Sequence, residues 1–283
     1  MSMKDKYFEV HIPFSKTNYE NLGNLLTLYG NLTVLEENGS FIVCFPDRLE
    51  ADELKEYLSG HADLGINNIE IKEFDNKDWN KEWEKSIKPV KIGRKMIVYP
   101  SWLKSELGET KDRILIEIDP KMAFGTGHNE TTQLMLEMMA KYINGDEKTL
   151  LDYGCGTGVL AIAGIKLGVK NAIAIDNDPV AIENAMECLK RNSVDNFVEL
   201  HCANIDEIDE EDFDVVCANI ISSVIIDNID HIDSKISKGG KLFVSGVLMD
   251  EDQSIMEYLF QSGFDVEDIQ TKGEWIGMYA VKR

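Results

Sequence analysis

Leu150-Leu151-Asp152-Tyr153-Gly154-Cys155-Gly156-Thr157-Gly158 carries an apolar strand into three alternating glycines, and the helical pattern Val159–Leu167 follows at once. Glycines at a strand–loop–helix junction permit a tight turn and let backbone approach a ligand closely. A second strand, Ala172-Ile173-Ala174-Ile175, ends in Asp176, 22 residues beyond Gly154. A carboxylate at that strand end is where the first βαβ unit of a doubly wound fold meets a ribose. Together the loop and the acid point to an adenosine-containing cofactor. A glycine-rich turn without a ligand is the bland alternative, and the acidic strand end in its βαβ context weighs against it.

The glycine spacing selects among cofactors. A dinucleotide G-x-G-x-x-G would need glycine at 159, where Val159 stands; the third glycine is Gly158. G-x-G-x-G with Asp152 two residues ahead resembles the S-adenosylmethionine site of class I methyltransferases. From residue 148 onward, strand and helix patterns alternate. Strands are predicted at 148–153, 171–176, 197–202, 213–218, 240–246, 264–271 and 274–282. Helices are predicted at 158–168, 179–192, 222–236 and 250–262. Strands joined by crossover helices require a buried, mostly parallel sheet. The last two strands are joined at Lys272-Gly273 and should be antiparallel. The fold expected is α/β: a doubly wound, mostly parallel seven-stranded sheet with an antiparallel last strand, the usual ending of class I methyltransferases.

Residues 7–75 read as a separate unit. Tyr7–Ile12 alternates like a strand, and Asn18–Tyr29 carries a helical apolar stripe ended by Gly30. Strands at Leu32–Glu36 and Phe41–Phe45 flank the turn signal Asn38-Gly39; a helix at Ala51–Leu58 and a strand at Ile69–Phe74 follow. The order βαββαβ is the ferredoxin-like arrangement. Such a fold reveals no activity by itself; recognition of a partner is the role expected, against that of a stabilising appendage. Trp79 and Trp83 share one face of a charged connecting helix. The domain organisation expected is a ferredoxin-like recognition domain over 1–75, a linker helix over 76–90 and a methyltransferase domain over 91–283.

The bulk numbers exclude several classes. The chain has 283 residues, a formal net charge of -22 and 43% hydrophobic residues. No apolar run reaches the ~20 residues of a membrane span, and the first residues carry no apolar signal region. A cytoplasmic protein is expected. Five cysteines form no C-x-x-C pair, which argues against a zinc site or a disulfide framework. The negative charge argues against direct nucleic-acid binding and suits a basic partner.

Upstream of the glycine loop lies Asp119-Pro120-Lys121-Met122-Ala123-Phe124-Gly125-Thr126-Gly127-His128-Asn129-Glu130-Thr131-Thr132. Two glycines beside Phe124 suggest a flap over the site, and Thr131 or Thr132 could cap a helix over Gln133–Tyr142. The fourth strand of the alternation ends in Ala218-Asn219-Ile220. An asparagine there sits at the carboxyl edge, beside the crevice where such sheets bind ligands. Its amide can accept from an amine through oxygen and donate through nitrogen.

These blocks, with Pro100-Ser101-Trp102, Asp176-Asn177-Asp178-Pro179, Gly239-Gly240 and Gly273-Glu274-Trp275, are collinear. They resemble the ribosomal protein L11 methyltransferase family, PrmA, from about residue 79 to the end. The resemblance implies an N-terminal domain that captures the ribosomal protein. It also implies a catalytic domain that methylates lysine side chains and the N-terminal amine, up to the trimethyl level, from S-adenosylmethionine. By position it implies cofactor contacts at Thr132, Gly154, Asp176 and Asn219, with Phe124 and Gly156 beside them. Asn219, near the transferred methyl, is the catalytic candidate, and no metal is implied. The partner implied is ribosomal protein L11, with neither nucleic acid nor membrane.

The family usually has Gly-Thr-Gly-x-His-x-Thr-Thr, whereas here His128 comes one residue early and Asn129 takes its place. A structural role for the histidine is expected. Two other readings stand beside the leading one. The chain could methylate lysine in a different protein, or it could be a non-catalytic binding module on the same fold.

Overall fold

Alternation over Lys6–Pro13 becomes strand β1, which buries Val10 and Ile12 against the first helix, α1 (Tyr19–Tyr29). A computed structural model describes residues 6–15, 17–29, 34–37, 39–61, 68–75, 87–119, 125 and 127–283. The chain divides into two units, Met1–Ser86 and Ile87–Arg283. In the first unit, β2 (Val34–Glu37), β3 (Ser40–Phe45), α2 (Arg48–Ser59) and β4 (Glu70–Asp75) follow α1. The sheet order is β2-β3-β1-β4 with every pairing antiparallel, the ferredoxin-like topology. Asp47 caps α2 by accepting from Leu49 N at 3.0 Å, so the helix starts at Arg48, three residues before the predicted Ala51. The predicted helix stop at Gly30, Asn38 of the turn signal and the tryptophans of the linker helix lie outside the described residues.

The second unit opens with a three-stranded sheet: β5 (Val90–Ile92), antiparallel to β6 (Met96–Tyr99), which pairs in parallel with β7 (Ile114–Glu117). Asn192 accepts from Glu117 N at 2.9 Å and donates to Glu117 O at 2.7 Å, fixing β7 to the helix that ends at Arg191. Next comes α3 (Glu130–Tyr142), then the alternation proper. It comprises β8 (Thr149–Tyr153), α4 (Val159–Leu167), β9 (Asn171–Asp176), α5 (Pro179–Arg191), β10 (Val198–Cys202) and β11 (Phe213–Asn219). Helices α6 (Ser222–Asp227) and α7 (Ile229–Lys235), β12 (Ile236–Leu248), α8 (Asp252–Gln261), β13 (Phe264–Lys272) and β14 (Trp275–Lys282) complete it.

The strand order is β10-β9-β8-β11-β12-β14-β13. Pairings among the first five are parallel, and β14 is antiparallel to both β12 and β13. Both faces are covered, as a parallel sheet requires. Leu150, Val215, Cys217 and Phe243 enter one core; Leu151, Val216, Ala218, Leu242 and Val244 enter the other. This is the doubly wound class I methyltransferase fold, with the chain reversal between β8 and β11 at its centre.

Two helix expectations are corrected. The helix expected over 222–236 is two helices that meet at Asn228, where φ of -112° and ψ of 15° leave the helical region; Val224 O accepts there from both Asn228 N and Nδ2, at 3.1 and 2.9 Å. Helix α3 begins at Glu130 rather than Gln133, with Asn129 at its N-cap. Thr131 and Thr132 therefore do not cap it; they are buried in its first turn.

Candidate active site

The glycine loop folds over the end of β9. The backbone N–H groups of Gly154 and Cys155 both donate to Ile175 O at 2.9 Å. Gly154, with φ of 72°, lies where a Cβ would come within 2.4 Å of Ile220 Cγ2. Glycine is required there by close approach as well as by conformation. Asp176, at the tip of β9, accepts from Gly156 N at 2.9 Å through Oδ2 and from Asp178 N at 3.0 Å through Oδ1. The acid thus ties the loop to the strand end. A carboxylate offers about four acceptor positions, so both oxygens retain capacity for a ligand hydroxyl.

Beneath the loop, Asp152 is fully buried. Its Oδ2 accepts from Ala161 N at 2.9 Å, and Oδ1 has no hydrogen-bond partner among the described residues. Burial pushes its carboxyl up to about 7; the Ala161 N–H opposes this and the nearby Asp176 charge adds to it.

A cavity of about 660 Å³ opens at the carboxyl ends of β8 to β11. Its wall includes Gly154, Gly156, Asp176 and Asn219, with Thr131 of α3 and Trp275 of β14. Small-molecule sites commonly occupy ~300–1,000 Å³ at this kind of switch point.

Asn219 is the last residue of β11. Its Nδ2 donates to Thr132 Oγ1 at 3.3 Å, while Oδ1 is buried without a partner among the described residues. The Oγ1 of Thr131 is likewise buried and unpartnered there. The segment after Asn219 is held from two sides. Gly154 meets the Ile220 side chain, and a Cβ at Gly246 would fall 2.2 Å from Ile220 O.

Most of the residues expected at the site come together. Gly154, Gly156, Asp176 and Asn219 line one cavity. Thr132 is fully buried behind the wall and reaches it through Asn219. Phe124 lies outside the described residues. The flanking Gly125 is fixed to the glycine loop, since Thr157 Oγ1 donates to Gly125 O at 2.7 Å. His128 is exposed, and its Nε2 lies 3.0 Å from Lys88 O.

Sequence reasoning missed Thr131, Trp275 and Gly246. Thr131 and Trp275 lie in segments the sequence singles out, without a site role, and Gly246, the last residue of a predicted strand, marks a bulge. The register between β12 and β14 does shift between Ser245 and Val247.

Among the described residues, no group of three or more His, Cys, Asp or Glu could hold a metal ion. No helix among them is long and apolar enough to cross a membrane. Among the described residues, no disulfide joins the cysteines. The donor set fits adenosylmethionine: an acidic strand end for a ribose and glycine backbone for close approach on one cavity wall.

Comparison with known proteins agrees with this geometry. The family described as "Ribosomal protein L11 methyltransferase (PrmA)" matches residues 7–283. A protein of Alkaliphilus oremlandii (strain OhILAs) named ribosomal protein L11 methyltransferase is 40% identical over 212 residues, 75% of this chain and 67% of that protein. The Clostridium perfringens (strain 13 / Type A) protein of the same name is 35% identical over 256 residues, 90% and 79% of the two chains. Among solved structures, the chain is similar to the ribosomal protein L11 methylase of Lactobacillus delbrueckii subsp. bulgaricus. The TM-score there is 0.64 at 27% identity, over 70% of this chain and 100% of that one. With the family matched across nearly its whole length, and with a glycine loop, acidic strand end and strand-end asparagine on one cavity, the chain belongs to the ribosomal protein L11 methyltransferase family, PrmA.

Proposed function

We propose that this chain methylates amino groups of ribosomal protein L11, on lysine side chains and at the N-terminal α-amine, with S-adenosylmethionine as donor. The observation that carries the reading is the Asn219 amide. Asn219 ends β11 in the wall of the cavity that Asp176 and the glycine loop share, and its Oδ1 has no partner among the described residues. An amide at that strand end has an acceptor oxygen to offer the N–H group of an incoming amine.

When bound, S-adenosylmethionine supplies a methyl carbon on a positively charged sulfur that departs as a thioether. The chain's own residues bind and orient. Asp176 would accept from the ribose hydroxyls, and the backbone at Gly154 and Gly156 would hold the methionine portion. Asn219 Oδ1 accepts from the acceptor amine and aims its lone pair. Holding the reacting atoms in line supplies much of the rate. A lysine amine has an ordinary pKa near 10.4, so the site must favour the neutral form. The apolar wall at Ile220 and Trp275 disfavours the ammonium by desolvation.

The ferredoxin-like unit is the capture domain for the protein substrate in this reading. A chain with a formal net charge of -22 attracts a basic ribosomal protein. The reaction takes place in the cytoplasm. The test is to incubate the purified chain with labelled S-adenosylmethionine and unmethylated L11, then map the products by mass spectrometry. Absence of label on L11 would sink the substrate assignment, and deletion of residues 1–75 should abolish transfer to L11.

A further inference from the structure

Asp152 is an acid with almost nothing to hold its charge. It stands on β8 between Leu151 and Tyr153, beneath the glycine loop, and is fully buried. Oδ2 accepts from Ala161 N, in the first turn of α4, at 2.9 Å. Oδ1 is closed off from solvent and has no partner among the described residues. Its neighbours across the sheet are Ala174 of β9 and Cys217 of β11. Cys217 and Cys155 of the loop are thiols that burial holds protonated. The side-chain charge that reaches Asp152 is that of Asp176, of the same sign.

A buried carboxylate is costly unless it is paired and fully hydrogen-bonded. Asp152 has one N–H and a like charge nearby, so the neutral form is favoured. Its carboxyl sits at about 7 against an ordinary 3.8. A cation arriving above the loop reverses that balance, because little water intervenes to screen it. S-adenosylmethionine carries such a cation in its sulfonium, which is bonded to the 5′ carbon of the ribose. Asp176, the acid read as the ribose acceptor, lines the cavity, as do Tyr153 and Gly154, the two residues that follow Asp152. The donor's charge therefore enters next to a carboxyl that no side-chain cation offsets.

We infer that Asp152 sets the preference for methyl donor over product. It keeps its proton until the cationic donor binds, releases that proton to solvent on binding, and takes one back once the methyl has left and the sulfur is neutral. Asp152 touches neither ligand and acts through the loop by charge alone. The inference rests on S-adenosylmethionine as the donor, and not on which amine accepts the methyl.

A neutral Asp152 leaves the sulfonium unaided, and an ionised one attracts it. Donor affinity should therefore rise as pH climbs from about 5 to about 8. Affinity for S-adenosylhomocysteine, whose sulfur is uncharged, should lack that rise. Displacement of the carboxyl by one unit makes the rise about tenfold. A shift from about 7 to about 6 releases ~0.4 proton per donor bound at pH 7. A merely structural acid would give neither effect.

The experiment is calorimetry on the full chain with S-adenosylmethionine and with S-adenosylhomocysteine, across that pH range and in buffers of different ionisation enthalpy. Wild type, Asp152→Asn and His231→Gln are compared, since His231 stands in the cavity wall with Glu130 and Asp206. Ligand groups that titrate do so in every variant, so the difference between wild type and Asp152→Asn isolates this carboxyl. The wild type and His231→Gln should show the rise in donor affinity and the extra proton release; Asp152→Asn should show neither. Infrared difference spectra of the wild type need no variant: the donor should remove the carbonyl stretch of a protonated carboxyl, and the product should not. Equal proton release in wild type and Asp152→Asn, a spectrum that keeps that band, or a rise lost in His231→Gln and kept in Asp152→Asn would overturn this inference alone. A wild-type chain that binds neither ligand would overturn the donor reading, and this inference with it.

Discussion

Gly246→Ala tests how tightly the acceptor strand end is held. Gly246 sits at φ of 84° in the bulge of β12, and a Cβ there would lie 2.2 Å from Ile220 O, 2.7 Å from Ile220 C and 3.1 Å from Ile220 N. These are backbone atoms with no rotamer to escape into. Ordinary contact needs about 3.5 Å, so Ile220, and Asn219 with it, must move by about 1 Å. The left-handed conformation costs an alanine about 1–2 kcal/mol, and the forced backbone shift adds about 1–3 kcal/mol. A displacement of this size at a reacting group costs on the order of 10²-fold in turnover. Gly239 supplies the control: its φ is 77°, yet a Cβ there meets nothing within 4 Å. Gly239→Ala should therefore show the conformational cost alone and keep its turnover. Urea unfolding at constant m-value gives the stability difference, and methyl transfer to L11 gives kcat. If Gly246→Ala matches Gly239→Ala in both measurements, the clamp on Ile220 does not exist as described.

Asp176→Ala removes the acceptor for Gly156 N and Asp178 N together with the proposed ribose contact, so donor affinity should fall by roughly 10- to 100-fold; calorimetry reads this, and unchanged affinity would unseat Asp176 from the site. Asp152→Asn addresses linkage. Burial holds that carboxyl at about 7 against an ordinary 3.8, so the native chain keeps a proton that the unfolded chain releases between those values. Stability therefore falls as pH rises from about 4 to about 7, by up to a few kcal/mol, and the amide variant should lose that slope and gain on the wild type above pH 7. Parallel slopes in urea titrations across that range would contradict it. His128→Ala removes only an exposed contact to Lys88 O, so kcat should change by less than about tenfold, against the ~10²–10⁴-fold loss of a general base.

Most of the sheet was legible because its signals are local. Strand ends, the glycine spacing and the helix at Pro179 each occupy a few consecutive residues. Their predicted limits lie within a few residues of those observed, although β12 starts four residues earlier, at Ile236 against the expected 240. The break at Asn228 was not legible. It lies in the backbone of one residue, with φ of -112° and ψ of 15°, and nothing in the apolar periodicity of 222–236 announces it. The start of α3 was misplaced for a similar reason. A Thr-Thr pair reads as a cap from composition, but the chain already turns helical at Glu130.

By itself the sequence determined that a glycine loop, an acid and an asparagine lie at the carboxyl ends of three strands of one parallel sheet. Strand order and polarity then oblige them to meet, whatever the packing details. What the tertiary structure alone decided is the identity of the side chains that face the cavity. Thr131 and Thr132 are adjacent and identical, and only the rotation of α3 against β11 distinguishes the one that lines the cavity from the one that accepts from Asn219 Nδ2. The pairing of Gly246 with Ile220 likewise depends on a bulge between β12 and β14. Helix phase and close backbone approach are set by contacts between residues distant in the chain, so no local pattern encodes them.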